Sequence, residues 1–257
     1  MHSPSLALLG ATGNLGRHVA RQTLERGWPL SVAVRDRRRL APDVEARVQV
    51  SELNLDTASL AQLAGFVDGH EVLVFCAGVV TQGEAFVAMV DKVVSALETL
   101  PAERRPVCWF LGGAALLDLD AAGRRGVELP KVRDTYWPHR VNHERLQRSA
   151  LDWRLLCPGP MVDQEALGVA ALRVSANALP APLPALARVL PGPLLLPLFV
   201  AKIPQMIVPY ADAAALILEH VHRSDPFARC RVGLALPPGM KGRKSQWAAR
   251  ARDTHDA

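Results

Sequence analysis

Three glycines near the start of the chain have the spacing of a loop that binds a dinucleotide. Gly10, Gly13 and Gly16 follow the apolar run Leu6–Leu9 and precede a stretch with helical periodicity. Such a loop turns sharply off a strand, lets its backbone approach a diphosphate, and packs the next helix against the sheet. The helix N-terminus then binds the diphosphate through its N–H groups and its dipole. The predicted loop residues are Gly10, Thr12, Gly13, Asn14, Leu15 and Gly16.

The residue at the end of the second predicted strand indicates which nicotinamide cofactor binds. An acidic residue about 20 positions after the loop would bind the adenosine ribose of NAD(H), whereas an arginine accommodates the 2′-phosphate of NADP(H). Position 35 is arginine, and Arg37–Arg39 add positive charge beside it. Asp36 could instead turn inward to the ribose, and the arginines could form only a solvated surface. We predict NADP(H), with NAD(H) as the alternative.

Short apolar runs that alternate with amphipathic runs indicate the elements that position this loop. The apolar runs predict strands at Ser5–Leu9, Leu30–Val34, Arg47–Leu53, Glu71–Cys76, Val107–Leu111, Trp153–Cys157 and Arg229–Leu236. Helical patterns occupy Asn14–Arg26, Thr57–Ala64, Gly83–Leu100, Pro138–Ala150 and Tyr210–His222. Apolar strands separated by helices are typical of a parallel sheet that is covered on both faces. We therefore predict an α/β fold with a Rossmann-like, doubly wound parallel sheet.

Single residues predict where several helices begin or end. Gly27 is suited to end the first helix, and Asp56 is suited to cap a helix that begins at Thr57. Pro138 suits the first turn of a helix because its ring fixes φ and its missing N–H has no partner there. A helix that begins at Pro138 would leave Tyr136 just outside it.

The composition limits the partners and the compartment that we expect. The chain has 257 residues, a formal net charge of +5 and only 5% aromatic residues, so we expect no nucleic-acid partner. Its four cysteines form no paired motif and lie in apolar runs, which predicts free thiols in the cytoplasm. No secretory signal is expected, because the first apolar run leads directly into the glycine loop. No metal site is predicted.

The Pro/Leu segment, residues 178–209, differs from the rest of the chain. It holds eight prolines and many leucines, and its uncharged run Val189–Ala201 is too short to span a membrane. Three interpretations stay open: a lid or wall of a substrate pocket, a packed subdomain or dimer surface, and a contact with a membrane surface. We expect one domain over residues 1–236 that includes this insertion, then a polar tail over 237–257. The expected partner is a small-molecule substrate and not a membrane, and the expected state is a monomer or homodimer.

With these residues identified, the sequence resembles a known superfamily. The run Gly10-Ala-Thr-Gly-Asn-Leu-Gly16 is similar to the GATGxxG motif of the atypical and extended short-chain dehydrogenase/reductases. The most similar branch is the NmrA-like, NAD(P)H-binding group that includes flavin and biliverdin-IXβ reductases. The segments that support this resemblance are Val32–Arg35, Asn54–Asp56, Val74–Gly78, Phe110–Gly113, Leu151–Gly159 and, more weakly, Val208–Ala214.

The resemblance implies further cofactor contacts at the carboxyl ends of the strands. Leu55 and Asp56 would lie near the adenine. After the fourth strand, the cofactor would be lined by Cys76, Ala77 and Gly78. The nicotinamide would be flanked by Gly112, Gly113, Pro158 and Gly159.

Catalytic residues are harder to find, because the serine, tyrosine and lysine used by many short-chain dehydrogenases are not all present. The serine position reads Gly112-Gly-Ala-Ala115. Tyr136 and Arg140 have the spacing of the tyrosine and lysine, but arginine does not titrate as lysine does. His139 and His143, four residues apart, are alternative proton carriers. Each of the four could also be a structural or surface residue.

These observations favour an NAD(P)H-dependent oxidoreductase that acts on an apolar or aromatic acceptor. Hydride transfer mainly requires that cofactor and acceptor are held face to face, so an incomplete catalytic set does not exclude it. The incomplete set also allows a non-catalytic NAD(P)-binding sensor or regulator. A third possibility is an assembly or scaffold protein that uses the Pro/Leu segment.

Overall fold

The computed structural model describes residues 2–243, so the predicted polar tail lies largely outside the described residues. Its central element is an eight-stranded sheet with strand order β3-β2-β1-β4-β5-β6-β10-β8. The strands are β1 (Leu6–Leu9), β2 (Leu30–Val34), β3 (Gln49–Glu52), β4 (Val72–Phe75), β5 (Val107–Leu111), β6 (Asp152–Cys157), β8 (Arg173–Ala176) and β10 (Arg231–Ala235). All neighbouring pairs are parallel except β10 and β8. This arrangement confirms the predicted Rossmann-like α/β fold.

Helices cover both faces of the sheet. They are α1 (Asn14–Glu25), α2 (Pro42–Glu45), α3 (Leu60–Val67), α4 (Glu84–Glu98), α5 (Val132–Arg148), α6 (Gly192–Lys202) and α7 (Tyr210–Glu219). Helices α1 and α7 pack together on one face, while α4 lies between α3 and α5 on the other. Each face has its own apolar core. The inner strands are buried on both sides, which explains why the sequence shows them as continuous apolar runs.

Three short strands were not predicted from the sequence. Strand β8 pairs with β10 at the sheet edge, and β7 (Met161–Val162) pairs with β9 (Val208–Pro209) in a small ladder of its own. These segments have two to four residues and lack a long apolar run. Their pairing depends on contacts between distant parts of the chain, which periodicity does not reveal.

Two predicted helix starts were wrong. Helix α3 begins at Leu60 and not at Thr57, and its cap is Ser59 instead of Asp56, because Ser59 and Gln62 bond each other's backbone N–H. Helix α5 begins at Val132, so Tyr136 lies within it and Pro138 is in its interior. Interior proline costs about 3 kcal/mol. The buried Pro138 ring and the packing of α5 against α4 and residues 126–128 offset this cost.

The Pro/Leu segment forms a short 3-10 turn at residues 185–189, then α6 and a second turn at 203–206. Its anchors are Ala187, Leu195 and Phe199, which are buried against the body of the protein. No helix within residues 2–243 is both long enough and apolar enough to cross a bilayer.

Candidate functional site

The loop between β1 and α1 has the backbone geometry that the three glycines predict. Gly10 has φ of +92°, and a Cβ there would lie 2.8 Å from the backbone of Cys76 and Ala77. A Cβ on Gly16 would lie 2.0 Å from the carbonyl oxygen of Gly10, so only glycine lets α1 pack this closely on the loop. Gly13 is exposed, and its N–H donates to the Gly10 carbonyl over 3.1 Å. The loop therefore presents backbone, without side chains, at the start of α1.

The N-terminus of α1 has no internal cap among the described residues. Gly13 is the N-cap and supplies no side-chain oxygen, and the first turn has no acidic residue. The first N–H groups of a helix need a partner, and the helix dipole favours a negative one. This helix end has the chemistry of an anion site, as the loop prediction requires.

A cleft of about 480 Å³ extends from this loop over the carboxyl ends of β3, β2, β1, β4 and β5. Its lining includes eleven of the sixteen predicted cofactor residues: Gly10, Thr12, Gly13, Asn14, Leu15, Arg35, Leu55, Asp56, Cys76, Ala77 and Gly78. Ligands of open α/β sheets bind at this edge, where the strand order reverses. No residue of the Pro/Leu segment is in this lining, and its role as a lid or pocket wall stays a prediction.

One end of the cleft is basic and lies beyond β2. Arg35 and Arg39 line it, and neither forms an ion pair with a carboxylate among residues 2–243. The carboxylate of Asp36 is already occupied, because it accepts bonds from the backbone and the guanidinium of Arg38 at 3.0 Å. These bonds lower the pKa of Asp36. Arg35 and Arg39 can therefore contact a ligand, whereas Asp36 is bonded to Arg38.

The end of the cleft after β3 is held by a contact that the sequence did not reveal. Lys92 of α4 donates to the carbonyl oxygens of Leu55 and Asp56, at 3.0 and 2.7 Å. The side chain of Asn54 accepts the N–H of Asp56 over 3.1 Å. The Lys92 bonds hold the loop after β3 against α4, and the Asn54 bond fixes the conformation within the loop.

The opposite end of the cleft is largely apolar. It is lined by Val79, Gln82, Leu111, Met161 and Tyr210. Sequence reasoning missed all five as site residues, although Tyr210 carried a signal as the start of a late helix in a segment similar to the family. Tyr210 stacks on His18 of α1 with ring centroids 6.0 Å apart. Cys76 lies between the two ends, and burial raises the pKa of its thiol to about 12, so it stays protonated.

Five predicted cofactor residues do not line this cleft. Gly16 supports the loop from beneath, as described above. Gly112 and Gly113 are buried. A Cβ on Gly112 would press against Leu155 and Cys157, and a Cβ on Gly113 would press against His139. The remaining two, Pro158 and Gly159, lie against the Gly113–Ala114 loop and Met206. Cofactor contact by these residues stays a prediction.

The tyrosine–arginine pair of the sequence analysis forms no hydrogen bond between its two side chains, Tyr136 and Arg140. Tyr136 is half-buried and stacks on His139, with ring centroids 6.1 Å apart. Arg140 pairs with Glu144 one turn further along α5, at 3.0 Å. The ion pair directs the guanidinium along the helix, away from the role that a lysine would have beside a tyrosine.

The buried face of α5 carries polar side chains instead. His139, Asn142 and His143 are each at most 8% exposed. The Nδ1 atoms of both histidines and both amide atoms of Asn142 have no hydrogen-bond partner among residues 2–243. Burial lowers the pKa of both histidines to about 4, so both are neutral near pH 7. No group of three or more potential metal ligands occurs within the described residues.

These neutral histidines should make the protein sensitive to acid. The unfolded chain binds protons at a pKa near 6.5, above the folded value of about 4, so stability is greatest above pH 6.5 and falls toward pH 4. Each histidine should cost about 2 kcal/mol between roughly pH 7.5 and pH 5. The variant His139→Gln should reduce this pH-dependent loss by about that amount in urea unfolding at both pH values.

A substitution at an exposed histidine provides the control for this experiment. His222→Gln changes a side chain at the surface and should leave the pH-dependent loss unchanged. If His139→Gln and the natural protein lost the same stability on acidification, His139 would not be buried as a neutral group.

Parallel strands that end on a cleft, with a glycine loop where the strand order reverses, place the chain in the class of Rossmann proteins that bind dinucleotides. The sequence profile described as NAD(P)H-binding matches residues 10–180, more than half of the chain. The chain therefore belongs to the NAD(P)H-binding family. The match confirms the resemblance to the atypical short-chain dehydrogenase/reductases, while the finer NmrA-like placement stays a prediction.

Solved structures share this fold at low sequence identity. A candidate exported protein of Burkholderia pseudomallei is 20% identical, with TM-score 0.65 over 90% of this chain and 99% of its own. A candidate NADH-flavin reductase of Streptococcus pneumoniae TIGR4 is 15% identical, with TM-score 0.68 over 91% and 100%. The anaerobillin reductase ChuY of Escherichia coli O157:H7 is 16% identical, with TM-score 0.64 over 93% and 100%. At these identities the likeness concerns the fold.

Proposed function

We propose that this protein is an NADPH-dependent oxidoreductase that reduces an apolar or aromatic acceptor. The observation that carries the proposal is the pairing of two features in one cleft. A helix N-terminus without a side-chain cap among residues 2–243 suits the diphosphate, and Arg35 and Arg39, which form no ion pair within that range, suit a 2′-phosphate. When bound, the cofactor supplies a hydride from its nicotinamide ring.

The apolar end of the cleft supports the choice of acceptor. Val79, Leu111 and Met161 would exclude water and provide flat apolar contacts, and no carboxylate or lysine lines that end. Two proteins of the same fold are described as reductases, one of a flavin and one of anaerobillin. We extend that acceptor class, a planar conjugated molecule, to this chain.

Among the four predicted catalytic residues, we assign proton handling to His139. Its imidazole packs on Gly113, and a Cβ added there would lie 3.3 Å from its Nε2. Gly113 follows β5, whose last residue, Leu111, lines the cleft. A neutral imidazole can donate a hydrogen bond to an atom on which negative charge develops. Tyr136, stacked on His139, would orient it, while Arg140 and His143 are assigned supporting roles in α5.

A second candidate function is a non-catalytic NADPH sensor. None of the side chains of Tyr136, His139, Arg140 and His143 lines the cleft, and Arg140 is occupied by Glu144. Under this alternative the cofactor binds without turnover, and a partner protein recognises the cofactor-bound form.

The four free cysteines support a cytoplasmic location under either function.

One experiment separates the two functions. Fluorescence titration with NADPH measures binding, and loss of nicotinamide absorbance with flavins, quinones and linear tetrapyrroles measures turnover. For the oxidoreductase, we expect turnover with at least one acceptor, and His139→Gln should lower kcat by about 100-fold while the Kd for NADPH is unchanged. Tight binding without turnover on every acceptor would instead support the sensor. Failure to bind either cofactor would contradict both.

A further inference from the structure

The outward side of residues 182–201 is almost entirely apolar, and we call it the 182–201 surface. Twelve residues in this range are exposed, and Arg188 is the only one among them with a polar side chain. The others are Pro182, Pro184, Ala185, Leu186, Val189, Pro191, Pro193, Leu194, Pro197, Val200 and Ala201. Helices at the surface of a globular protein normally carry charged or polar residues on their outer face. The composition of this surface therefore indicates that it binds another molecule.

Helix α6 is apolar on its inner and outer sides. Leu195 and Phe199 are buried, whereas Leu194 and Val200 on the outer side are 53% and 50% exposed. In the preceding turn, Leu186 and Val189 are 66% and 76% exposed. Contiguous exposed aliphatic residues of this kind mark protein or membrane contact sites.

The protein body holds this surface in a fixed conformation. Arg124 donates to the carbonyl oxygens of Leu190 and Ala187, at 2.6 and 2.7 Å, and also contacts that of Arg188. The exposed turn thus has backbone acceptors that are already satisfied, which removes a large cost of entering an apolar medium. Phe199 anchors α6 beside Gly126, where a Cβ would lie 3.2 Å from its ring.

The acidic residues near the surface, Asp118, Asp120 and Glu128, are each paired with an arginine, so the charges without a partner there, among residues 2–243, are basic. No acidic residue occurs between Glu165 and Asp212, and the charged residues in that interval are Arg173, Arg188 and Lys202. Lys131 is exposed close by, since Leu129 lies 3.9 Å from a Cβ built on Gly192 at the start of α6. Basic residues around an exposed aliphatic surface are complementary to the headgroups of anionic lipids.

We propose that the 182–201 surface docks on the face of an anionic lipid bilayer. Its aliphatic residues enter the boundary between headgroups and acyl chains, and Arg188 contacts lipid phosphates. A lipid surface fits this combination, because the exposed side chains are aliphatic and the charged side chain among them, Arg188, is basic. With eleven residues, α6 lies on the bilayer and does not cross it. The proposal departs from the sequence-based expectation of no membrane partner, and it does not depend on the proposed reaction.

Co-sedimentation of the full-length protein with vesicles tests this proposal. One set consists of phosphatidylcholine alone, and the other of equal parts phosphatidylcholine and phosphatidylglycerol. We expect binding to the anionic vesicles that weakens as salt is added. Val189→Glu and Leu194→Glu should each reduce this binding by at least about tenfold. Arg188→Gln should reduce it about fivefold and leave any binding to phosphatidylcholine unchanged.

A matched control places the same charge elsewhere. Leu60→Glu replaces an exposed leucine at the start of α3 and should bind vesicles as the natural protein does. If the two glutamate variants fail to fold, as judged by circular dichroism, the salt dependence and Arg188→Gln decide the outcome. Absence of binding to anionic vesicles would overturn the proposal. So would sedimentation equilibrium that shows a dimer which the glutamate variants dissociate, because the surface would then join two copies of the chain.

Discussion

The variant Gly13→Asp is expected to lose NADPH binding and yet to unfold at the same temperature as the natural protein or slightly above it. Gly13 is the N-cap of α1, with extended φ and ψ of −78° and 169° that any residue adopts. An aspartate there would accept the N–H groups of the first turn and cap the helix, which is worth a few tenths of a kcal/mol over glycine.

The same carboxylate would compete with the diphosphate for those N–H groups and repel it. Hydrogen bonds to a charged group contribute about 1.5–3 kcal/mol each, so losing two of them should raise the Kd at least about 100-fold. Fluorescence titration with NADPH and a thermal unfolding scan measure the two effects on the same sample.

Gly13→Ala is the matched control. A Cβ at this position meets only the Gly10 carbonyl oxygen, at 3.3 Å, and brings no charge. Alanine should therefore weaken binding much less than aspartate does. If Gly13→Asp bound NADPH as tightly as the natural protein, the diphosphate would not lie at the N-terminus of α1, and the proposed function would fail.

The second large effect concerns the choice between the two nicotinamide cofactors. Replacing both Arg35 and Arg39 with alanine should raise the Kd for NADPH by about 10- to 100-fold, because charge-assisted bonds to the 2′-phosphate are lost. The Kd for NADH should change by no more than about twofold, since NADH has a hydroxyl in place of this phosphate. Parallel titrations with the two cofactors measure the ratio.

Arg37→Ala serves as the control for this pair. Arg37 belongs to the same arginine cluster, but its guanidinium bonds Glu45 and does not line the dinucleotide cleft. Its removal should leave the preference for NADPH intact. Equal losses of NADPH and NADH in the Arg35/Arg39 variant would show that the arginines do not recognise the phosphate.

The sequence predicted the sheet and the loop well because their signals are local. Strands β2 and β5 were predicted with their observed bounds, since apolar runs buried on both faces contrast sharply with the turns around them. Gly27 ends α1 with φ of +69°, as expected of a glycine after a helix. The spacing of the three glycines also predicted which backbone segment faces the cleft.

Helix α5 shows where local signals misled. Pro138 indicated a helix start, but packing against α4 and residues 126–128 lets the helix begin six residues earlier, at Val132. This shift places Tyr136 on the helix and buries His139 against Gly113. The preference of proline for the first turn of a helix is a local effect, whereas the length of a helix also depends on its packing against the rest of the protein.

The amino-acid sequence by itself determined the Rossmann class, the dinucleotide loop and the basic position after β2, because each depends on neighbouring residues and backbone conformation. Only the tertiary structure decided which side chains meet. It brought Met161 and Tyr210 to the cleft, paired Arg140 with Glu144, and turned one side of α6 outward. Such contacts join residues that are far apart in sequence, and the direction of each side chain is fixed only when the whole core is packed.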